Sequence, residues 1–141
     1  MLLHRCALLL AIAPLVVFAG ETTVHEFKLD NGLKVLIQED HRAPVAVSQV
    51  WYKVGSSYEY GGITGVSHML EHMMFKGTKK HPPGEFSRII AANGGSENAF
   101  TGQDYTAYFQ TLERNRLKVS FELEADRMVN SHIAKKDLDS E

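Results

Sequence analysis

Residues 68–72 read His68-Met69-Leu70-Glu71-His72 and bring two imidazoles and a carboxylate close together in the chain. In an α-helix, His68 and His72 lie one turn apart on the same side, and the Glu71 side chain points toward that side as well. A hydrolytic zinc site uses two or three protein ligands, leaves a coordination position for water, and needs a base that does not bind the metal. The stretch therefore predicts a helix that carries a zinc site, with His68 and His72 as ligands and Glu71 as the base.

The flanking residues favour a buried position for this helix. Gly61-Gly62-Ile63-Thr64-Gly65 is rich in turn formers and leads into it, and the apolar residues after His68 supply surface for burial. The alternative is a surface helix that carries two histidines by chance. A buried helix needs a partner for such groups, because an uncompensated buried charge costs several kcal/mol. A metal ion would be that partner, and the order H-x-x-E-H is the inverzincin arrangement.

Length and composition place few limits on function. A chain of 141 residues with 44% hydrophobic content can form one modest globular domain. Its net charge of -2 gives no indication of a nucleic-acid partner. The single cysteine, Cys6, lies in the N-terminal segment, so the rest of the chain cannot form a disulfide.

The N-terminal segment has the features of a secretory signal peptide. Arg5 lies near its start, and a nearly unbroken apolar run extends from Leu8 to Phe18. A membrane-spanning helix is the alternative, but the run is too short for a bilayer and Pro14 interrupts it. We therefore predict a signal peptide over residues 1–19, cleavage and export, and no stable membrane span afterwards in residues 20–141.

The pattern along the remaining chain predicts five strands and further helices. Val24–Leu29 and Leu33–Gln38 flank the turn signal Asp30-Asn31-Gly32 and predict a β-hairpin. The other predicted strands are Val45–Val54, Ser96–Thr101 and Tyr105–Thr111. A helix is predicted over Glu85–Ala92, with a left-handed C-cap at Asn93-Gly94-Gly95.

The last long helix is predicted from Arg116 to about Asn130-Ser131. Its apolar residues recur at helical spacing and predict the buried side: Leu117, Phe121, Ala125 and Met128. Its acidic residues are predicted to form a charged outer side rather than metal ligands: Glu122, Glu124 and Asp126. Together the elements predict an α+β, two-layer fold with a mainly antiparallel sheet and helices on one side.

Three segments resemble one protein family. Gly61–Thr78, GGITGVSHMLEHMMFKGT, resembles the active-site segment of the M16 (pitrilysin, or insulinase) zinc peptidases, and within them that of the mitochondrial processing peptidase β-subunit and its bacterial relatives. Asn93–Thr101 with Asp104–Tyr108 resembles the second signature of that family, and Val24–Gln38 resembles its N-terminal hairpin. The resemblance implies the LuxS/MPP-like metallohydrolase fold and bound Zn²⁺.

The resemblance also implies roles for individual residues. It makes His68 and His72 zinc ligands, and Glu71 the base that takes a proton from the zinc-bound water and delivers it to the leaving amine. The segment Asn98-Ala99-Phe100-Thr101 corresponds to an edge strand beside the cleft, where a substrate peptide adds as an extra strand, with Asn98, Ala99 and Phe100 as the substrate-binding residues. The alternative for this segment is an ordinary buried strand.

The family's third zinc ligand is a glutamate on a helix well downstream of the second histidine. Glu141 matches an acid that precedes this ligand and supports the site, so the ligand position falls just beyond the last residue. The resemblance also implies a second homologous domain or a partner subunit that closes over the substrate. We therefore expect residues 20–141 to be the N-terminal portion of a catalytic domain, incomplete at its C-terminus.

The leading hypothesis is an exported, periplasmic zinc endopeptidase that acts on extended peptides or unfolded segments, with this chain inactive alone. One alternative is a non-catalytic subunit of the same fold, used for assembly or peptide binding. The intact H-x-x-E-H disfavours it. A protein that only stores or senses zinc is a further alternative, but it would leave Glu71 without a task.

Overall fold

A computed structural model describes residues 23–141. The signal peptide predicted for residues 1–19 lies outside the described residues. The described residues divide into two compact units, the first up to Arg42 and the second Ala43–Glu141. Among residues 23–141, no helix is both long enough and apolar enough to cross a bilayer.

The described part of the first unit contains a β-hairpin. Strand β1 (Val24–Lys28) pairs antiparallel with strand β2 (Lys34–Gln38). In the turn, Gly32 has φ of 89°, a conformation that glycine adopts without steric cost. The Asn31 side chain accepts a hydrogen bond from the backbone N–H of Leu33 at 3.1 Å. The hairpin predicted from the Asp-Asn-Gly signal is confirmed.

The second unit contains an antiparallel sheet of three strands. They are β3 (Val45–Tyr52), β4 (Ser96–Thr101) and β5 (Thr106–Glu113), in the spatial order β3-β5-β4. All three predicted strands are confirmed, although β3 ends before Val54 and β5 extends past Thr111. Because β5 lies between the other two, β4 occupies an edge of this sheet.

Four α-helices accompany the sheet: α1 (Val66–Met73), α2 (Glu85–Ala92), α3 (Leu117–Asn130) and α4 (Lys135–Leu138). Short 3₁₀ turns occupy Ser56–Tyr58, Met74–Lys76 and Arg114–Arg116. Helix α2 has the predicted boundaries and ends as predicted, because Gly94 takes φ of 72° and the N–H of Gly95 bonds to the Ile90 carbonyl at 3.0 Å. The connection from residue 77 to residue 84 is not helical, in agreement with its two prolines.

The helices lie on one side of the sheet. Helices α1 and α2 contact β4, and α3 contacts β3 and β5. Side chains alternate along the strands, so Tyr108, Gln110 and Leu112 of β5 are buried toward the helices. On the opposite face, Val47 and Trp51 are more than half exposed within the described part of the chain. The predicted α+β, two-layer arrangement with helices on one side is confirmed.

The prediction for α3 was wrong about its buried side. The buried residues of α3 are Ser120, Leu123, Glu124 and Arg127. Phe121 is 57% exposed and Met128 is 43% exposed, although both were assigned to the buried stripe. Glu124 is only 3% exposed, although it was expected on the charged outer side. Glu122 does lie outside, where it pairs with Lys118 at 3.6 Å.

A buried polar network explains why Glu124 faces the sheet. Arg127 forms an ion pair with it, and the Gln110 side-chain amide donates to its Oε1 at 2.5 Å. The Ser120 hydroxyl donates to Gln110 Oε1 at 2.8 Å. The Arg127 guanidinium also lies over three aromatic rings, those of Phe75, Phe86 and Tyr108. These contacts compensate for the burial of both charges.

Candidate metal centre

Helix α1 begins at a turn that Glu59 holds in place. Its carboxylate accepts hydrogen bonds from the backbone N–H of Gly65 at 2.7 Å and of Ser67 at 2.8 Å. These groups lie at the start of the helix, where backbone N–H groups lack partners within the helix and favour a negative charge. The bond from Ser67, followed by that from Gly65, lowers the pKa of the Glu59 carboxyl below its ordinary value. Glu59 thus fixes the end of the helix that carries His68.

The two histidines of α1 direct one nitrogen each toward the same point. Nε2 of His68 lies 3.1 Å from Nε2 of His72. Two ring nitrogens bound to one tetrahedral Zn²⁺, each at about 2.0–2.1 Å, would lie about 3.3–3.4 Å apart. The observed separation therefore fits a single ion held between the rings, and equally fits one shared proton. The helical repeat makes this approach possible, because His68 and His72 are one turn apart on the same side of the helix.

The other nitrogen of His72 has a partner. Nδ1 of His72 lies 2.7 Å from Oε2 of Glu141, and Oε1 of the same carboxylate lies 2.5 Å from Nζ of Lys76. A carboxylate at Nδ1 accepts a hydrogen bond from the Nδ1–H and so keeps the ring proton on Nδ1, which leaves the lone pair of Nε2 free for a metal. The bond from Lys76, followed by that from His72, lowers the pKa of Glu141. The structure thus places Glu141, which sequence reasoning assigned as a supporting acid, against His72.

Glu71 is buried and held by a neighbouring strand. It is 9% exposed, and the hydroxyl of Thr101 in β4 donates a hydrogen bond to its Oε2. The hydroxyl of Thr106 lies 3.4 Å from that of Thr101 and donates to the backbone carbonyl of Val54 at 3.0 Å. Sequence reasoning placed Thr101 in the strand beside the cleft but did not identify it as a partner of Glu71. The alternation of β4 could have indicated it, because Thr101 shares a strand face with Ala99 and Glu97.

An open cleft of about 440 Å³ lies beside His68 and Glu71. The other residues that line it are Ser56, Glu59, Gly65, Ala99, Phe100, Thr101 and Gly102. Ala99 and Phe100, two of the three residues assigned to substrate binding, therefore border the same space as His68 and Glu71. The third, Asn98, is exposed, does not line this cleft, and accepts a hydrogen bond from the backbone N–H of Ala99 at 2.8 Å.

The candidate metal ligands are chemically suited to zinc, but the described residues supply only two of them, the Nε2 atoms of His68 and His72. Within residues 23–141, no group of three or more His, Cys, Asp or Glu side chains is arranged to hold a metal ion. The two Nε2 atoms supply imidazole ligands, which zinc accepts readily. Glu71 lies against Thr101. The described residues thus offer two imidazole ligands, the Glu71 carboxylate in the same cleft as His68, and the Glu141 carboxylate against His72.

Comparison with known proteins places this site in a family. The family model described as insulinase, peptidase family M16, matches residues 34–141. A zinc protease of Helicobacter pylori, PqqE, is 43% identical over 71% of this chain and 23% of its own length. The mitochondrial-processing peptidase subunit beta of Dictyostelium discoideum is 38% identical over 73% of this chain and 22% of its own length.

Solved structures agree with the sequence relatives. The crystal structure of a protease from Helicobacter pylori superposes with a TM-score of 0.79 and 37% identity, and it covers 82% of this chain and 28% of that one. The chain spans about a quarter of the length of the curated relatives it matches. Fold, family model and relatives agree, so the chain belongs to peptidase family M16, the insulinase family.

Proposed function

We propose that this chain supplies the zinc-binding and catalytic helix of a zinc endopeptidase. The observation that carries the proposal is the convergence of the His68 and His72 Nε2 atoms, 3.1 Å apart, on a helix whose Glu71 carboxylate borders an open cleft. The Helicobacter pylori relative PqqE, which is named a zinc protease, supports zinc as the metal and peptide hydrolysis as the reaction.

In this proposal, each residue of the site has one task. Bound zinc supplies a Lewis acid and a water of lowered pKa. Glu71 accepts a proton from water and passes it to the leaving amine, which is general acid–base catalysis by one carboxylate. Thr101 keeps the Glu71 carboxylate in place through a hydrogen bond to Oε2, so Oε1 would be the oxygen that accepts the proton. Glu141 orients the His72 ring through Nδ1.

The ligand set requires one more residue than the described chain supplies. Two imidazoles hold zinc weakly, whereas catalytic zinc sites use three protein ligands and a water. We propose that a carboxylate downstream of Glu141 completes the set in a longer chain, and that residues 20–141 are the N-terminal portion of the catalytic domain. On its own, this portion should bind zinc weakly and hydrolyse nothing.

The substrate in this proposal is an extended peptide or an unfolded segment. Strand β4 is an edge strand, and Ala99 and Phe100 border the cleft, so a peptide can pair with β4 as an additional strand. The Asn98 side chain accepts the Ala99 N–H and would have to release it to a peptide carbonyl. A homologous second domain or a partner subunit would then close over the bound peptide.

We propose export as well, on the basis of the charged start and apolar run of residues 1–19. Cleavage would leave a chain that begins at or next to Gly20 and acts in the periplasm. Intact-mass analysis of exported protein tests this, and retention of Met1 would contradict it.

The central experiment compares two glutamate variants of the full-length peptidase. Zinc content is measured by atomic absorption and hydrolysis with a quenched fluorescent peptide, with and without a chelator. Glu71→Gln should keep zinc and lose hydrolysis, because the amide cannot accept the proton. Glu122→Gln, the matched control on the outside of α3, should keep both.

The outcomes separate the alternatives. Chelator-sensitive cleavage by wild type supports a zinc peptidase. Bound zinc without any cleavage of a panel of unstructured peptides would favour the non-catalytic subunit. Normal turnover by a zinc-loaded Glu71→Gln protein would remove Glu71 from the role of base.

A further inference from the structure

The Glu141 carboxylate is held from two sides. Its Oε2 lies 2.7 Å from His72 Nδ1 and its Oε1 lies 2.5 Å from Lys76 Nζ. Lys76 closes the 3₁₀ turn Met74–Lys76 that continues directly from α1. It comes four residues after His72 on a continuous helical path, so both side chains reach the same carboxylate from one side of the helix.

The pair formed by Lys76 and Glu141 is less exposed to solvent than a surface ion pair of the same protein. The Lys76 side chain is 25% exposed and that of Glu141 is 22% exposed, whereas the surface pair of Lys135 and Asp139 is 84% and 60% exposed. An ion pair that is partly withdrawn from water loses less of its attraction to screening and fixes its partners better than a surface pair.

We propose that Lys76 is a positioning residue for the metal site, and that it acts on His72 through Glu141. Lys76 fixes one oxygen of the carboxylate, so the other oxygen stays directed at Nδ1 of His72. That contact sets the orientation and tautomer of the ring and keeps the Nε2 lone pair directed toward the metal. The inference rests on the proposed zinc site.

Direct electrostatic repulsion and positioning predict opposite changes in zinc affinity when the Lys76 charge is removed. Lys76 carries a positive charge near a site for a divalent cation, so direct repulsion would make zinc bind more tightly once the charge is removed. Positioning predicts that zinc binds more weakly. The sign of the change in zinc affinity therefore distinguishes the two mechanisms.

The experiment measures zinc affinity of the full-length peptidase by competition with a chromophoric chelator. Supporting residues around a metal ligand typically contribute 10–100-fold in affinity, and we expect Lys76→Met to lose about tenfold, the lower end of that range. Lys76→Arg should keep most of the affinity, since it retains a charged donor. Lys79→Met is the matched control, because it removes the same charge from the exposed loop just after Lys76.

A double-mutant cycle tests whether Lys76 acts through Glu141. In a Glu141→Ala background, Lys76→Met should cause no further loss of zinc affinity. If the two residues acted independently, their fold-losses in zinc affinity would multiply. Melting temperatures of all variants establish that each is folded.

Two kinds of result would overturn the inference alone: zinc affinity that rises or stays unchanged in Lys76→Met, or a full further loss in the Glu141→Ala background. A wild-type protein that takes up no zinc would instead overturn the proposed function, and the inference with it. The inference would be supported if Lys76→Met binds zinc more weakly while Lys76→Arg and Lys79→Met keep most of the wild-type zinc affinity.

Discussion

The hydroxyl of Thr101 donates a hydrogen bond to the carboxylate of Glu71 and thereby connects edge strand β4 to helix α1. Strand β4 lies at an edge of its sheet, so in the proposed function the segment that would bind substrate also holds the proposed base. A peptide that pairs with β4 would therefore be placed at a fixed distance from Glu71.

Thr101→Val should lower kcat by about 10–100-fold, because misplacement of a catalytic group by about 1 Å can cost about a hundredfold. Zinc content should stay at the wild-type level, since the side-chain hydrogen bonds of Thr101 go to Glu71 and Thr106 rather than to either histidine. Thr101→Ser should keep most of the activity because it retains the donor. Steady-state kinetics of the full-length peptidase measure kcat and KM separately. Thr111→Val on β5 is the control. A change confined to KM would assign Thr101 to substrate binding instead.

His68→Ala and His72→Ala should each remove zinc, because the ligands that remain hold the ion poorly. Hydrolysis should be lost along with the metal. The control is His41→Ala, a histidine of the first unit that pairs with Glu39 at 3.0 Å. Metal analysis after dialysis measures the zinc that each variant retains. Stoichiometric zinc in either variant would show that the other histidine and further groups are sufficient to bind the ion.

Arg127→Met should destabilise the domain by about 3–5 kcal/mol, because it leaves the Glu124 charge buried without its partner. Replacing both residues, as Arg127→Met with Glu124→Leu, should recover much of the loss. Arg116→Met, an exposed arginine beside the same helix, should have little effect. Thermal unfolding ranks the variants. A single variant as stable as wild type would show that the network contributes little.

Glu59→Gln should destabilise the protein at neutral pH, and the difference from wild type should shrink as the solution is acidified. The folded-state pKa of Glu59 is lowered, so its contribution is complete above the ordinary glutamate pKa of about 4.3 and is lost as pH falls through the folded-state value. Melting temperatures between neutral and acidic pH measure this. A difference that stays constant with pH would mean that the charge of Glu59 contributes nothing.

Local signals in the sequence predicted much of the fold. The turn at Gly32 and the cap at Gly94 depend on a few adjacent residues, so the hairpin and the end of α2 were predicted correctly. The helix over residues 68–72 was predicted for the same reason, since its spacing is a property of the helical repeat.

Features that depend on distant partners were missed. The hydrophobic pattern of α3 favoured Phe121 and Met128 as buried residues. No local signal shows that Gln110 on β5 donates a hydrogen bond to Glu124 and so stabilises a buried carboxylate. Lys76 was missed for the same reason, because its partner Glu141 is close only after folding. The contact of Thr101 with Glu71 was also missed, although alternation along β4 could have indicated it. Glu141 was assigned through family resemblance, and no pattern within the chain would have indicated it.

The contact between His72 and Glu141 joins residues 69 positions apart, whereas the two histidines are 4 positions apart. The histidine pair exists as soon as one helical turn forms, but the carboxylate arrives only when a long loop has closed, which is costlier in chain entropy. During synthesis, zinc can therefore meet the histidines before the site is complete. The metal would then bind loosely at first and more tightly once Glu141 holds His72 and the proposed downstream carboxylate completes the ligand set, so metal retention would be coupled to completion of the fold.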